Sequence, residues 1–327
     1  MPWILGTPHL EVHGRSRVET DGREAVAAAH GVGARPGDRT ADPDARIAAT
    51  ALRLTSGCVV GGWAAARLHE RAAVPDDDLA VFTGDAWCGQ AAHGRRVEVG
   101  STSARVLVCA PRSARLRPGD DARIFRSMVP PTDRTAVDGV PVTTAVRTAF
   151  DLARLWRQPA AVAALDRLLH LGVVDLAEVR AMALARPGWR GRPSALRVLE
   201  TVDAGAGSPQ ESALRLLWLD AGLPRPRCHP VIRDARGELV ARVDLLDPDV
   251  GVVGEYDGAT HSDAEHRAGE ARRARSLEAL GLVVVRATAA DVATEQASTA
   301  WQRRLRRVYR LRRTRGSRAH PWQVTVD

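Results

Sequence analysis

Lysine is missing altogether from this chain of 327 residues; its 47 basic residues are all arginine. Beside abundant alanine and glycine, that absence reads as GC-rich coding rather than selection for guanidinium, so only the placement of the arginines carries weight. Long apolar runs are missing too. None approaches the roughly 18 consecutive apolar residues of a membrane span, and the opening Met1-Pro2-Trp3-Ile4-Leu5-Gly6 lacks the basic flank and cleavage site of a secretory signal. The expectation is a cytoplasmic protein without membrane contact. Cysteine is scarce: Cys58, Cys88, Cys109 and Cys228 stand far apart with no C-x-x-C pair. That argues against a zinc knuckle or a disulfide framework and leaves them as small buried hydrophobes.

What is present suits an ordinary globular chain, with 45% hydrophobic and 26% charged residues. Its length suggests two globular units with connecting segments. The net charge is +8, and nine arginines with no acid between Trp301 and Arg318 account for all of it. The body is therefore close to neutral and the tail is cationic, a pattern that points toward nucleic acid.

Residues 1–44 are rich in Gly, Pro, Asp and Arg, with one Ala-rich helix candidate at 23–30, and read as loosely ordered. Residues 45–204 read as an α+β domain. Asp44 is placed to cap a first helix, and a second, at 60–69, opens on Gly61-Gly62. Short apolar runs at 79–83, 97–99, 104–109 and 123–125 suggest a small mixed sheet, and four segments at 142–157, 159–172, 175–186 and 193–204 have helical spacing. Within them, Arg147 and Asp151 read as a structural ion pair. The run D-A-G-A-G at 203–207 is the linker.

Beyond that linker, Ser208-Pro209-Gln210-Glu211 places a helix cap, a first-turn proline and a third-position glutamate in order, and Gly222 ends the helix. Strand candidates follow at 228–233, 238–246 and 252–257, then a polar helix at 263–280 and a strand at 283–288. The order is α-β-β-β-α-β. Residues 293–327 form an Arg-rich helix and tail, with Trp301, Leu305 and Val308 at the spacing of a docked amphipathic helix.

Chemistry concentrates on two of these strands. If 248–251 is a four-residue hairpin loop, Asp244 lies opposite Glu255, and directly opposed residues share a face. Glu255 and Asp257 share a face in any register, because side chains alternate along a strand. Three clustered carboxylates repel, and a hard divalent cation, Mg²⁺ or Mn²⁺, would make them compatible.

The strings ESALRLLWLDAGLP, GELVARVDLLDPDVGVVGEYDGATH and EARRARSLEALGLVVVRAT, spanning residues 208–292, resemble the DUF559 family. That family is related to very-short-patch-repair endonucleases within the PD-(D/E)XK superfamily. The resemblance implies a restriction-endonuclease-like domain with Asp244 and Glu255 as metal ligands. It further implies Glu211 as the acidic residue of the first helix and Glu270 and Arg273 as a polar pair on the later one. Glu255, Asp257, Gly258 and His261 meet the family string E-x-D-G-x-x-H. The wider superfamily places a lysine two residues after the glutamate, whereas here it is Asp257, which cannot stabilise developing negative charge. Asp257 and His261 would then position the attacking water. Separately, TAVDGVPVTTAVRTAFDLAR at 135–154 and GGWAAARLH at 61–69 resemble AbiEi-type antitoxins of abortive-infection systems, whose N-terminal piece is a winged-helix DNA reader. Residues 1–44 lack the helix-turn-helix spacing for one.

The expected function is a Mg²⁺-dependent DNA endonuclease or nickase in DNA repair or phage defence. Its expected catalytic residues are Glu211, Asp244, Glu255, Asp257 and His261, with the metal on Asp244 and Glu255. Arg273, Arg303, Arg304 and Arg307 are the expected contacts to DNA. The alternative is an antitoxin-like DNA-binding regulator with a catalytically inactive nuclease fold. Simpler readings compete at several positions: a capping role explains Glu211, a surface pair explains Glu270 and Arg273, and a solvated helix face explains the tail.

Overall fold

The computed structural model describes residues 43–75, 81–82, 105–116, 122–257, 264–314 and 322–325. The helix expected at 23–30, the run at 97–99, Cys88, Gly258 and His261 lie outside the described residues. The protein is α+β, as its sequence suggests, and divides into two compact units. Among the described residues no helix is long and apolar enough to cross a membrane.

The described part of the first unit takes in residues 43–75, 81–82, 105–116, 122–156 and 171–196. It begins with α1 (Pro43–Ala51), β1 (Val59–Gly61) and α2 (Gly62–Ala73). Asp44 does not cap the first helix. It lies within its first turn and pairs with Arg67 and Arg71. A mixed five-stranded sheet is completed by β2 (Val106–Ala110), β3 (Ala122–Arg126), β4 (Arg134–Val137) and β5 (Val140–Thr143), in the order β3-β2-β1-β5-β4. Strands β4 and β5 form a hairpin through Asp138 and Gly139, both at positive φ (49° and 77°), the backbone that an Asp-Gly pair supplies at least cost.

Against this sheet unit the chain builds a buried polar network. Arg147, fully buried on α3 (Ala145–Leu155), reaches Asp133 at 2.8 Å and Asp151 at 2.9 Å. Asp151 also binds Arg154 at 2.7 Å, and Asp133 binds Arg186 at 2.7 Å. The guanidinium carbons of Arg147, Arg154 and Arg186 lie 4.7, 5.2 and 5.3 Å from the centre of the Trp189 ring, so cation–π attraction adds to the ion pairs. Gly191 is indispensable nearby, since a Cβ there would fall 2.1 Å from the Arg154 carbonyl oxygen.

The described part of the second unit takes in residues 157–170, 197–257, 264–314 and 322–325. The domain boundary expected at 204 is therefore not where the packing divides: α4 (Gln158–His170) and the end of α6 (Arg192–Thr201) belong with the C-terminal residues. The reason is a buried ion pair between Asp166 on α4 and Arg215 on α7 (Pro209–Asp220), with Asp166 also accepting from the Ser212 hydroxyl at 2.7 Å and the Asp203 amide at 2.7 Å. Between α4 and α6, α5 (Leu176–Leu184) is capped by Asp175.

After α7 the expected α-β-β-β-α-β order appears, with two strands broken. The run expected at 228–233 is β6 (Arg227–Cys228) and β7 (Val231–Asp234); that at 238–246 is β8 (Leu239–Arg242) and β9 (Leu245–Asp247). Both breaks occur side by side, where His229 takes a left-handed φ of 47° before Pro230 and the ribbon is held by the His229 amide on the Asp244 carbonyl and the Val243 amide on the Pro230 carbonyl. One bent ribbon thus serves two sheets. The first, with β10 (Val252–Asp257) and β11 (Val283–Thr288), has the order β11-β10-β9-β6; the second, closed by β12 (Trp322–Thr325), has the order β12-β7-β8. Helix α8 (Ala264–Ala279) connects the parallel neighbours β10 and β11.

Alternation along the strands sorts the core. Leu245 and Val252 join Leu214, Trp218, Trp301, Leu305 and Tyr309 in one cluster, while Leu246 and Val253 join Leu277, Leu282 and Trp322 in another. The short α9 (Ala289–Ala293) leads into α10 (Glu295–Arg313), whose Trp301, Leu305 and Tyr309 are buried in the first cluster. Among the described residues beyond 293, α10 is docked as its amphipathic spacing suggests and supplies core side chains, and β12 pairs with β7. If α10 is core, Trp301→Ala should cost about 3–5 kcal/mol of stability in chemical denaturation. A cost below about 1 kcal/mol would mean a loosely attached helix.

Candidate functional site

The described catalytic candidates lie in the second unit, on α7, the bend of the ribbon and β10. Helix α7 starts on Ser208, whose hydroxyl accepts from the Glu211 amide at 3.3 Å and donates to Glu211 Oε1 at 2.9 Å. Glu211 Oε2 accepts from the Gly207 amide at 2.8 Å and lies 2.6 Å from His229 Nε2. The capping role read from the sequence is present, and the same carboxylate carries a histidine that the sequence reading passed over. The signal for it is faint: His229 stands before Pro230, a position usually held extended, and its left-handed backbone is set by the bend.

Asp244 and Glu255 emerge as the four-residue loop implies. The ladder pairs Val252 with Asp247, Val253 with Leu246 and Gly254 with Leu245, and its continuation sets Glu255 opposite Asp244. Regular pairing ends there, however, and the two carboxylates take different partners. Asp244 Oδ2 accepts from the Tyr256 amide at 2.7 Å. Glu255, only 7% exposed, is 2.7 Å from Arg273 Nη2 on α8 and 3.8 Å from Arg286 Nε on β11. Arg273 also donates to the Arg242 carbonyl. Asp257 is exposed at the end of β10, paired in register with Thr288.

Donor atoms of Glu211, His229 and Asp244 all lie within 4.8 Å of one another. This is the group that could hold a metal among the described residues, and it includes His229 rather than Glu255. With one imidazole nitrogen beside two carboxylates, this donor set suits Mn²⁺ better than Mg²⁺, which takes oxygen ligands. The pair Asp244 and Glu255 fits less well, because the Arg273 guanidinium already neutralises Glu255.

Electrostatics follow this geometry. Burial alone would raise the Glu211 carboxyl, but the His229, Ser208 and Gly207 hydrogen bonds outweigh it and hold it below the usual carboxylate range. The hydrogen bond to Glu211 raises His229 above 6.5 against the opposing effect of burial. Burial raises Asp244, with the nearby Glu211 charge adding to it and the Tyr256 amide opposing it.

Half of this chain is similar to proteins already known. Residues 88–200 match the family described as the AbiEi antitoxin C-terminal domain. Two uncharacterized proteins of Mycobacterium tuberculosis, from strains CDC 1551 / Oshkosh and H37Rv, are each 32% identical over 160 residues, which is 49% of this chain and 59% of the relative. The chain thus spans less than two thirds of those relatives' length. No solved structure matches it. The antitoxin match bears out the resemblance seen at 135–154. It ends at residue 200, before Glu211, and does not bear on the nuclease resemblance of 208–292.

The expected DNA contacts divide. Arg273 is engaged by Glu255 and the Arg242 carbonyl, and Arg304 pairs with Asp291 at 2.8 Å. Arg303 and Arg307 are exposed on α10.

The Glu211–His229 pair has a defined pH dependence. A lowered acid contributes stability above its ordinary pKa and loses it as pH falls through the depressed value; a raised histidine contributes below 6.5 and loses it as pH rises through the raised value. The contribution is therefore fullest in the mildly acidic window between the two ordinary values. In an NMR titration the His229 imidazole should titrate above 6.5, and Glu211→Gln should lower it. An unchanged value in that variant would mean that Glu211 is not the cause.

Proposed function

We propose that this protein is an antitoxin-like regulator that binds DNA, with a nuclease-type C-terminal unit that does not cut it. The match of residues 88–200 to the antitoxin C-terminal domain carries this reading. The site geometry supports it from the other side. Glu255, which a metal-dependent nuclease would need free, is buried against Arg273, and an exposed carboxylate, Asp257, stands where the superfamily uses a cation. A buried charge is seldom given up from a close ion pair, because removing its partner leaves it uncompensated. The cytoplasm is the compartment such a regulator would occupy.

A second reading, a Mg²⁺- or Mn²⁺-dependent endonuclease or nickase, is favoured by one observation: the convergence of Glu211, His229 and Asp244 within 4.8 Å. Those residues would hold the cation, which would supply electrophilic stabilisation to a phosphate. With His229 Nε2 given to the cation, that nitrogen could no longer hold the proton it shares with Glu211 in this structure.

Purified protein offered supercoiled, linear and mismatched DNA with Mg²⁺ or Mn²⁺ separates the two. Binding without cleavage, alike in wild type, Asp244→Ala and Glu255→Ala, is the expected result. Nicking that needs the metal and disappears in Asp244→Ala would replace the regulator by the nuclease, and absence of any DNA binding would remove both.

A further inference from the structure

We infer that the solvent face of α10 is a docking surface for the phosphate backbone of duplex DNA, with Arg303, Arg307 and Arg310 as its contacts. The inference rests on the DNA-binding reading and assigns that binding to one helix face. From the run of arginines the sequence singles out Arg303, Arg304 and Arg307, and the fold re-sorts them by what they already hold. Arg306 Nε donates to the Ala221 carbonyl at 2.9 Å and Arg312 Nε to the Val250 carbonyl at 2.7 Å, so both fasten the helix to its own unit. Arg304 is paired with Asp291. Arg303, Arg307 and Arg310 are exposed and make no ion pair or side-chain hydrogen bond among the described residues.

At 100° per residue these three fall within a narrow sector opposite Trp301, Leu305 and Tyr309, the side chains that bury the other face. They form a row about 10 Å long at 1.5 Å per residue, a length over which one DNA strand carries about three phosphates. The row is also self-repelling. Arg303 and Arg307 are four apart, Arg307 and Arg310 three apart, and after Glu295 the helix carries no acid, so like charges face each other at the spacings where opposite charges would stabilise it. The favourable C-terminal dipole accounts for arginines in the last turn, such as Arg310, but does not extend to Arg303. A polyanion supplies the missing counter-charge. A guanidinium suits it because its planar donors match phosphate oxygens.

The test is the salt dependence of duplex binding by the full chain. Each phosphate contact contributes about −0.9 to the slope of log K against log salt. The triple variant Arg303→Gln, Arg307→Gln, Arg310→Gln should therefore flatten the slope by about 2.7, a difference of roughly 40-fold in affinity between 50 and 200 mM salt. The charge-matched variant Arg112→Gln, Arg115→Gln, Arg123→Gln, at exposed positions of the first unit, should leave the slope unchanged. Equal flattening by both triples would overturn the assignment, since net charge alone would then explain it. So would wild-type duplex binding with an unaltered slope in the α10 variant, an outcome that leaves the DNA-binding reading standing. If wild type binds no duplex, that reading and this surface fall together. Binding only to phosphatidylserine vesicles would instead assign the stripe to a membrane surface and overturn the proposal.

Discussion

Gly254 has no side chain, and the indole of Trp218 occupies the space one would need: a Cβ at that position would sit 3.0 Å from the Trp218 ring. Helix α7 is thereby seated against the middle of β10. The seat is completed by α10, whose Tyr309 meets Trp218 edge-on at 5.7 Å and donates to Asp247 at 2.7 Å. With α7 fixed there, its N-terminal turn is delivered to the bend of the ribbon, so that Ser208, Glu211 and His229 meet beside Asp244. A larger residue at 254 would push the indole away and disturb the site through the helix that carries it.

The two units solve the burial of charge in related ways. In the first, Asp133 and Asp151 are shared among Arg147, Arg154 and Arg186 over the face of Trp189. In the second, Asp166 holds Arg215, and Asp247 accepts the Tyr309 hydroxyl. Arginine suits such positions because several donors on one plane can satisfy several acceptors at once. The cysteines take the opposite role. Cys58, Cys109 and Cys228 are free and buried, and burial pushes the Cys109 thiol up to about 12, which leaves it without thiolate character at neutral pH.

These arrangements separate chemistry from anchoring in the C-terminal unit. Asp244 and Glu255 follow directly on the paired residues Leu245 and Gly254 and take different partners, one a backbone amide and the other a guanidinium. The same division runs along α10, where some arginines hold the fold and others face water. A carboxylate or an arginine therefore acquires its role from what it is paired with, and proximity in sequence does not settle the pairing.

The sequence by itself determined the features that local chemistry controls. Ser208 and Glu211 cap a helix because their spacing allows it, residues 248–251 make the hairpin loop that sets Asp244 opposite Glu255, and the limits of β10 and β11 follow their apolar runs. Asp138-Gly139 carried an equally local hairpin signal, although β4 and β5 were not anticipated from it. Only the tertiary structure decided the rest. His229 joined the site because a left-handed backbone bends the ribbon there, and Glu255 was claimed by Arg273 because α8 packs against β8 and β11, the strand next to β10. Residues 157–170 moved to the second unit because Asp166 needs Arg215, and β12 found β7 across nearly ninety residues of chain. Each of these depends on contacts between segments distant in sequence, and no local pattern records which distant partner will neutralise a charge or cover an edge.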